Sequence, residues 1–171
     1  FLTDIYLLNK NNRLVFLEHK LLYSRLKGAV PGGEYLIPLG KVDVKRVGED
    51  LTIIATGAMV QQALAAAELL EKEGVKAEVV DPRTLVPLDR QGILDSVKKT
   101  GKCLLASDAC ERGSFLHTMA SNISQMGFDS LDAPVAVVGA RNWITPAAEM
   151  EGAFFPQTEW ILDTIHERIL P

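Results

Sequence analysis

Apolar and polar positions alternate along this chain in two rhythms, and the clearest example runs from Asp50 to Asp89. Leu51 to Ala55 is a short, unbroken apolar run with β-branched residues, the pattern of a strand buried on both faces. Thr56-Gly57 then turns the chain into a helix. Val60, Leu64, Ala67 and Leu70 share one helical face, while Gln61, Glu68 and Lys72 lie opposite. Glu68 and Lys72 form an i,i+4 pair in the favourable order. Gly74 suits the left-handed position that ends a helix. Ala77 to Val80 is the next buried strand. Strand, helix and strand in about thirty residues predict a βαβ unit with parallel strands and a right-handed crossover.

The same reading extends in both directions. Phe1 to Asn9 reads as the end of a helix, Lys10-Asn11-Asn12 as a turn and Leu14 to Leu17 as a strand. These pieces cannot bury their apolar faces alone. Residues 21–40, punctuated by Gly28, Pro31, Gly32, Gly33 and Pro38, show no helical or alternating pattern. Lys41 to Lys45 alternates strictly, which suits an edge strand with one wet face.

Beyond the βαβ unit, Asp89 is a predicted N-cap, with Leu88 and Ile93 as a hydrophobic staple. Its helix runs to Thr100, where Lys98 and Lys99 complement the dipole and Gly101 stops it. Cys103 to Ala106 is a further strand, and Ser107 to Gly113 a polar loop. Leu116, Met119, Ile123 and Met126 mark the inner face of the next helix. Val135 to Val138 is the last strand. Gly139 to Gln157 is a long loop with a short helix near Ala147. Thr158 caps a final helix, with Leu162, Ile165 and Ile169 inward. The expected fold is a three-layer α/β/α sandwich on a mixed, mainly parallel, five-stranded sheet with one antiparallel edge strand.

Composition narrows the function classes. The 171 residues are 47% hydrophobic and 23% charged, enough apolar material for one domain with a fragment of a second. The net charge of −4 comes without a basic cluster, so nothing points to nucleic acid. No apolar run is long enough for a membrane helix. The chain opens with Phe1, without Met or a basic secretory n-region, and is read as a piece of a longer protein. Cys103 and Cys110 match no zinc or redox spacing, so a reduced protein without a disulfide is expected.

Candidate chemistry sits at the carboxyl ends of the strands: Thr56-Gly57, Asp81 to Thr84, Ser107-Asp108 and Gly139-Ala140-Arg141. Thr56-Gly57 can hold an anion at a helix N-terminus, but without further glycines a plain turn is preferred. Asp81, Arg83 and Asp89 are read as an internal ion pair or a partner surface, the pair ahead of a catalytic acid. Ser107, Asp108, Ser114 and His117 permit a nominal triad, but no nucleophile-elbow pattern supports it. His19, His117 and His166 lack metal-ligand spacing. Phe154, Phe155 and Trp160 surround Pro156 and suit either the core or a buried interface anchor.

Four stretches carry a family resemblance: Val15 to Tyr23, Ile37 to Val44, Asp81 to Asp89 and Leu131 to Val135. Together they resemble the C-terminal domain of transketolase-type enzymes. More narrowly, they resemble the β subunit of thiamine-diphosphate-dependent 2-oxoacid dehydrogenases acting on pyruvate, branched-chain 2-oxo acids or acetoin. The resemblance implies that residues 1–27 are the remnant of a preceding pyrimidine-binding domain, 28–40 a linker and 41–171 the transketolase-type C-terminal domain. It implies decarboxylation of a 2-oxo acid and acyl transfer to lipoyl in the intact enzyme, with thiamine diphosphate and Mg²⁺.

The family's cofactor-binding groups lie outside the matched positions. The resemblance therefore implies no catalytic or cofactor-binding residue here and an inactive chain on its own. It implies an α subunit, a second β subunit and a lipoyl acyltransferase core as partners, in the cytoplasm or the mitochondrial matrix. Leu7, Lys10 and Asn12 stand where some relatives bind a monovalent cation, although Lys10 replaces the usual Asp. Phe155, Trp160 and Arg141 fall where the family builds its subunit interface. Arg141-Asn142-Trp143 departs from the family's Pro-Asp-Thr, and Ser107-Asp108 from its frequent His-Glu. The alternatives are an autonomous, cofactor-free interaction module, an acetoin dehydrogenase β subunit, or a small flavodoxin-like nucleotide-binding domain, the last disfavoured for want of a phosphate loop.

Overall fold

The computed structural model describes residues 15–29 and 32–170. The chain divides into two units, 1–39 and 40–171.

In the first unit one helical turn, α1 (Leu22–Arg25), is closed by bonds such as Leu26 N–H to the Leu22 carbonyl at 3.0 Å. The Tyr23 hydroxyl donates to the Glu18 carboxylate, and that bond raises the phenol's pKa. Two expectations fail here. The described part of Leu14 to Leu17 is not a strand, and Val15 and Leu17 are exposed. A strand forms only as part of a sheet, and residues 15–17 belong to none of the strands among the described residues. The stretch 21–40 is not wholly irregular, because α1 falls inside it.

The second unit is the expected sandwich. Its elements are β1 (Asp43–Arg46), β2 (Leu51–Ala55), α2 (Met59–Lys72), β3 (Ala77–Asp81), α3 (Arg90–Thr100) and β4 (Cys103–Cys110). There follow α4 (Phe115–Met126), a 3₁₀ turn (Phe128–Ser130), β5 (Ala136–Ala140), a second 3₁₀ turn (Ala148–Met150), α5 (Glu151–Phe154) and α6 (Thr158–Arg168). The sheet order is β1-β3-β2-β4-β5. β3 and β4 flank β2 in parallel, β5 is parallel to β4, and β1 is antiparallel to β3. Alternate strand residues feed opposite faces. Ile53, Val79 and Leu104 meet α2 and α6; Ile54, Val80 and Leu105 meet α3 and α4. Each fully buried Leu or Ile contributes about 1.5–3 kcal/mol.

Local signals explain the helix ends. Asp89 caps α3 by accepting the Gly92 N–H at 3.1 Å, and Leu88 and Ile93 lie in one apolar cluster. α2 closes with Gly74 at φ +87°, Val75 N–H on the Leu70 carbonyl and Gly74 N–H on the Glu71 carbonyl. Those two bonds define a Schellman motif.

Four further expectations are corrected. The alternation read over Lys41 to Lys45 is interrupted by a register shift between Val44 and Arg46, and Val44 is 43% exposed. A bulge on an edge strand puts one extra residue out of step. β4 continues to Cys110, where a polar loop from Ser107 was expected, because pairing with β5 resumes at Cys110–Ala140 after a shift. Met126 is exposed, since α4 ends there and the chain leaves the layer. Thr158 does not cap α6. It is the first helical residue, and its hydroxyl donates instead to Gln62 Oε1 on α2.

Two buried polar groups were not foreseen. Thr52 in β2 shares a 2.7 Å hydrogen bond with Thr100 and donates to the Ser96 carbonyl at 3.1 Å, tying β2 to α3. Glu78 in β3 is 1% exposed, pairs with Lys99 at the end of α3, and accepts the Gly48 N–H at 3.4 Å.

Candidate functional site

The carboxyl ends of the parallel strands are the place to look for chemistry in a sheet of this class. At the end of β2, Gly57 has φ +57° and Thr56 donates its hydroxyl to Ser107 Oγ on β4 at 3.0 Å. Ser107 Oγ also accepts the Ala109 N–H at 3.2 Å and lies 3.5 Å from Asp108 Oδ1. The Ser107 hydroxyl is thus engaged by Thr56 at the end of β2 and by the backbone of its own strand. Ser114 and His117 are linked through the backbone, His117 N–H to the Ser114 carbonyl at 3.2 Å. None of these bonds sets up a nucleophile against a base.

At the end of β3 the expected grouping is partly re-sorted. The Arg83 backbone N–H bonds Asp81 at 2.9 Å, but its guanidinium pairs with Asp43 on β1. Asp43 and Asp81 are register partners, so two carboxylates face one another across the edge pair. Arg83 and Lys45 offset that repulsion. Burial raises the Asp43 carboxyl, but the two cations outweigh it and leave its pKa lowered. Arg83 takes φ +56°, uncommon for a residue with a side chain. Asp89 is occupied elsewhere. The Gly92 N–H, then the Val42 N–H at 3.2 Å and Lys41 at 3.9 Å, overcome its burial and hold its pKa down.

The most organised corner follows β5. The Arg141 guanidinium carbon stands 3.9 Å over the Trp160 ring, and the Arg141 N–H donates to the Phe154 carbonyl at 3.0 Å. Phe154 is buried and meets Phe155 edge-to-face, with centroids 4.8 Å apart at 85°. Trp160 packs half-buried against the core beneath α2 and α6. The predicted Arg141 and Trp160 are therefore in contact, and Phe155 joins the corner through Phe154. Asn142 Oδ1 accepts the Arg112 N–H at 3.0 Å and the Cys110 thiol at 2.8 Å. Next along the loop, Trp143 is 64% and Ile144 94% exposed. Their exposure was not read from the sequence, because hydrophobicity alone does not reveal which apolar residues stay uncovered.

Leu7, Lys10 and Asn12 lie outside the described residues. Among the described residues, no three His, Cys, Asp or Glu side chains gather as a metal-ligand set. No helix among them is long and apolar enough to cross a membrane.

This architecture, a doubly wound sheet with one reversed edge strand and a partly aromatic corner after the last strand, defines a class of α/β domain. The sequence profile of the family "Transketolase, C-terminal domain" matches residues 40–161, and the chain belongs to that family. It is 43% identical over 154 residues to the pyruvate dehydrogenase E1 component subunit beta of Bacillus subtilis, covering 90% of this chain and 47% of that one. It is 47% identical over 122 residues to the 2-oxoisovalerate dehydrogenase subunit beta of the same organism, covering 71% and 37%. Among solved structures, a split-gene transketolase, described as an inactive β4 tetramer, matches with a TM-score of 0.67 at 26% identity. That match covers 78% of this chain and 44% of the other. The chain spans about half the length of the curated relatives it matches, or less.

Proposed function

We propose that this chain is the C-terminal assembly domain of the β subunit of a thiamine-diphosphate-dependent 2-oxoacid dehydrogenase. The observation that carries this reading is the 43% identity over 90% of the chain to a pyruvate dehydrogenase β subunit. In the intact enzyme the cofactor's ylid does the carbon chemistry, and the protein supplies orientation and electrostatics. The described residues offer a packed sandwich and an aromatic–arginine corner, which suits holding subunits together. Residues 1–27 close the preceding pyrimidine-binding domain, and 28–40 link it to 41–171. Arg141, Phe155 and Trp160 belong to the surface that meets the second β subunit, with an α subunit and a lipoyl acyltransferase core as further partners. The β4 tetramer of the split-gene transketolase supports self-association of domains with this fold.

The test is calorimetric titration of this chain with thiamine diphosphate and Mg²⁺, beside sedimentation of the chain alone. No heat, together with self-association, is the expected result. Saturable heat at micromolar affinity places a cofactor site in these residues and overturns the assignment. A strictly monomeric chain at high concentration removes the interface role.

A further inference from the structure

No further inference is drawn: the strongest candidate, the exposed apolar pair Trp143 and Ile144 on the loop after β5, borders the corner already described, and nothing in the structure shows what covers it.

Discussion

Arg141 and Trp160 stand 19 positions apart in sequence, yet the guanidinium lies 3.9 Å over the indole. The contact fastens the loop after β5 to the first turn of α6, beside a half-buried ring that already packs on the core. Because Arg141 is exposed, the stacking is worth about 0.5–1 kcal/mol. Arg141→Ala is expected to lower stability by that amount in a urea titration. Trp160→Ala also removes core packing and is expected to cost about 2–4 kcal/mol. If the corner meets a second subunit, Arg141→Ala weakens self-association in sedimentation while the fold is kept. Unchanged association refutes the interface assignment for this residue.

Asp89 holds the start of α3 and the Val42 backbone with one carboxylate. Asp89→Ala is expected to lose about 1 kcal/mol through the cap alone. Its folded pKa, like that of Asp43, is held below the unfolded value. Stability from both groups is therefore fully present above the unfolded carboxylate value of about 4. It is lost as pH falls through the lowered folded-state values. Asp89→Asn keeps a capping oxygen and is expected to flatten that acid limb. Denaturant midpoints from pH 6 down to pH 2.5 check this, and an identical acid limb in the variant rules it out.

Glu78 and Lys99 form a pair with one buried and one half-exposed partner. Removing the cation from a fully buried pair costs about 3–5 kcal/mol. The Lys99 side chain is 43% exposed, so water screens the pair and about 1–3 kcal/mol is expected for Lys99→Met. The double variant with Glu78→Gln should lose less than the two single losses summed. Lys98→Met, on the exposed side of the same turn, is the control. Equal effects at Lys98 and Lys99 mean that the pair contributes nothing.

Gly48 lets the turn between β1 and β2 press against the sheet. A Cβ there would stand 2.3 Å from the backbone of Ala77 and Glu78. Gly48→Ala must push main chain against main chain, and a loss of roughly 1–3 kcal/mol is expected. Gly152→Ala meets nothing within 4 Å and should be close to neutral. Thermal melts of the two variants, compared, decide the point.

The two cysteines should separate cleanly. Cys103 is fully buried in β4, and burial raises its thiol pKa, so little thiolate is available. Cys110 is exposed. An aromatic disulfide reagent is expected to titrate one thiol per native chain and two in denaturant. Two fast thiols in the native protein contradict the packing around β4.

The sequence by itself determined the elements of the second unit. Periods of two and 3.6 are properties of the backbone, so the runs at Leu51–Ala55 and Val60–Leu70 declare themselves without any partner. The Asp89 cap and the Gly74 and Gly101 stops are equally local rules. The family resemblance was legible for the same reason, since its motifs are contiguous. Only the tertiary structure decided what depends on which elements become neighbours. The bulge in β1 and the continuation of β4 to Cys110 follow from pairing with β3 and β5. Nothing in the sequence around Glu78 names its partner, Lys99, which lies 21 residues away and is brought to it only by the fold. Arg83 turns to Asp43 rather than to Asp81 or Asp89 because the edge strand brings Asp43 alongside. Contacts of this kind depend on register and on which face each helix covers, and neither quantity is written in any short stretch of the chain.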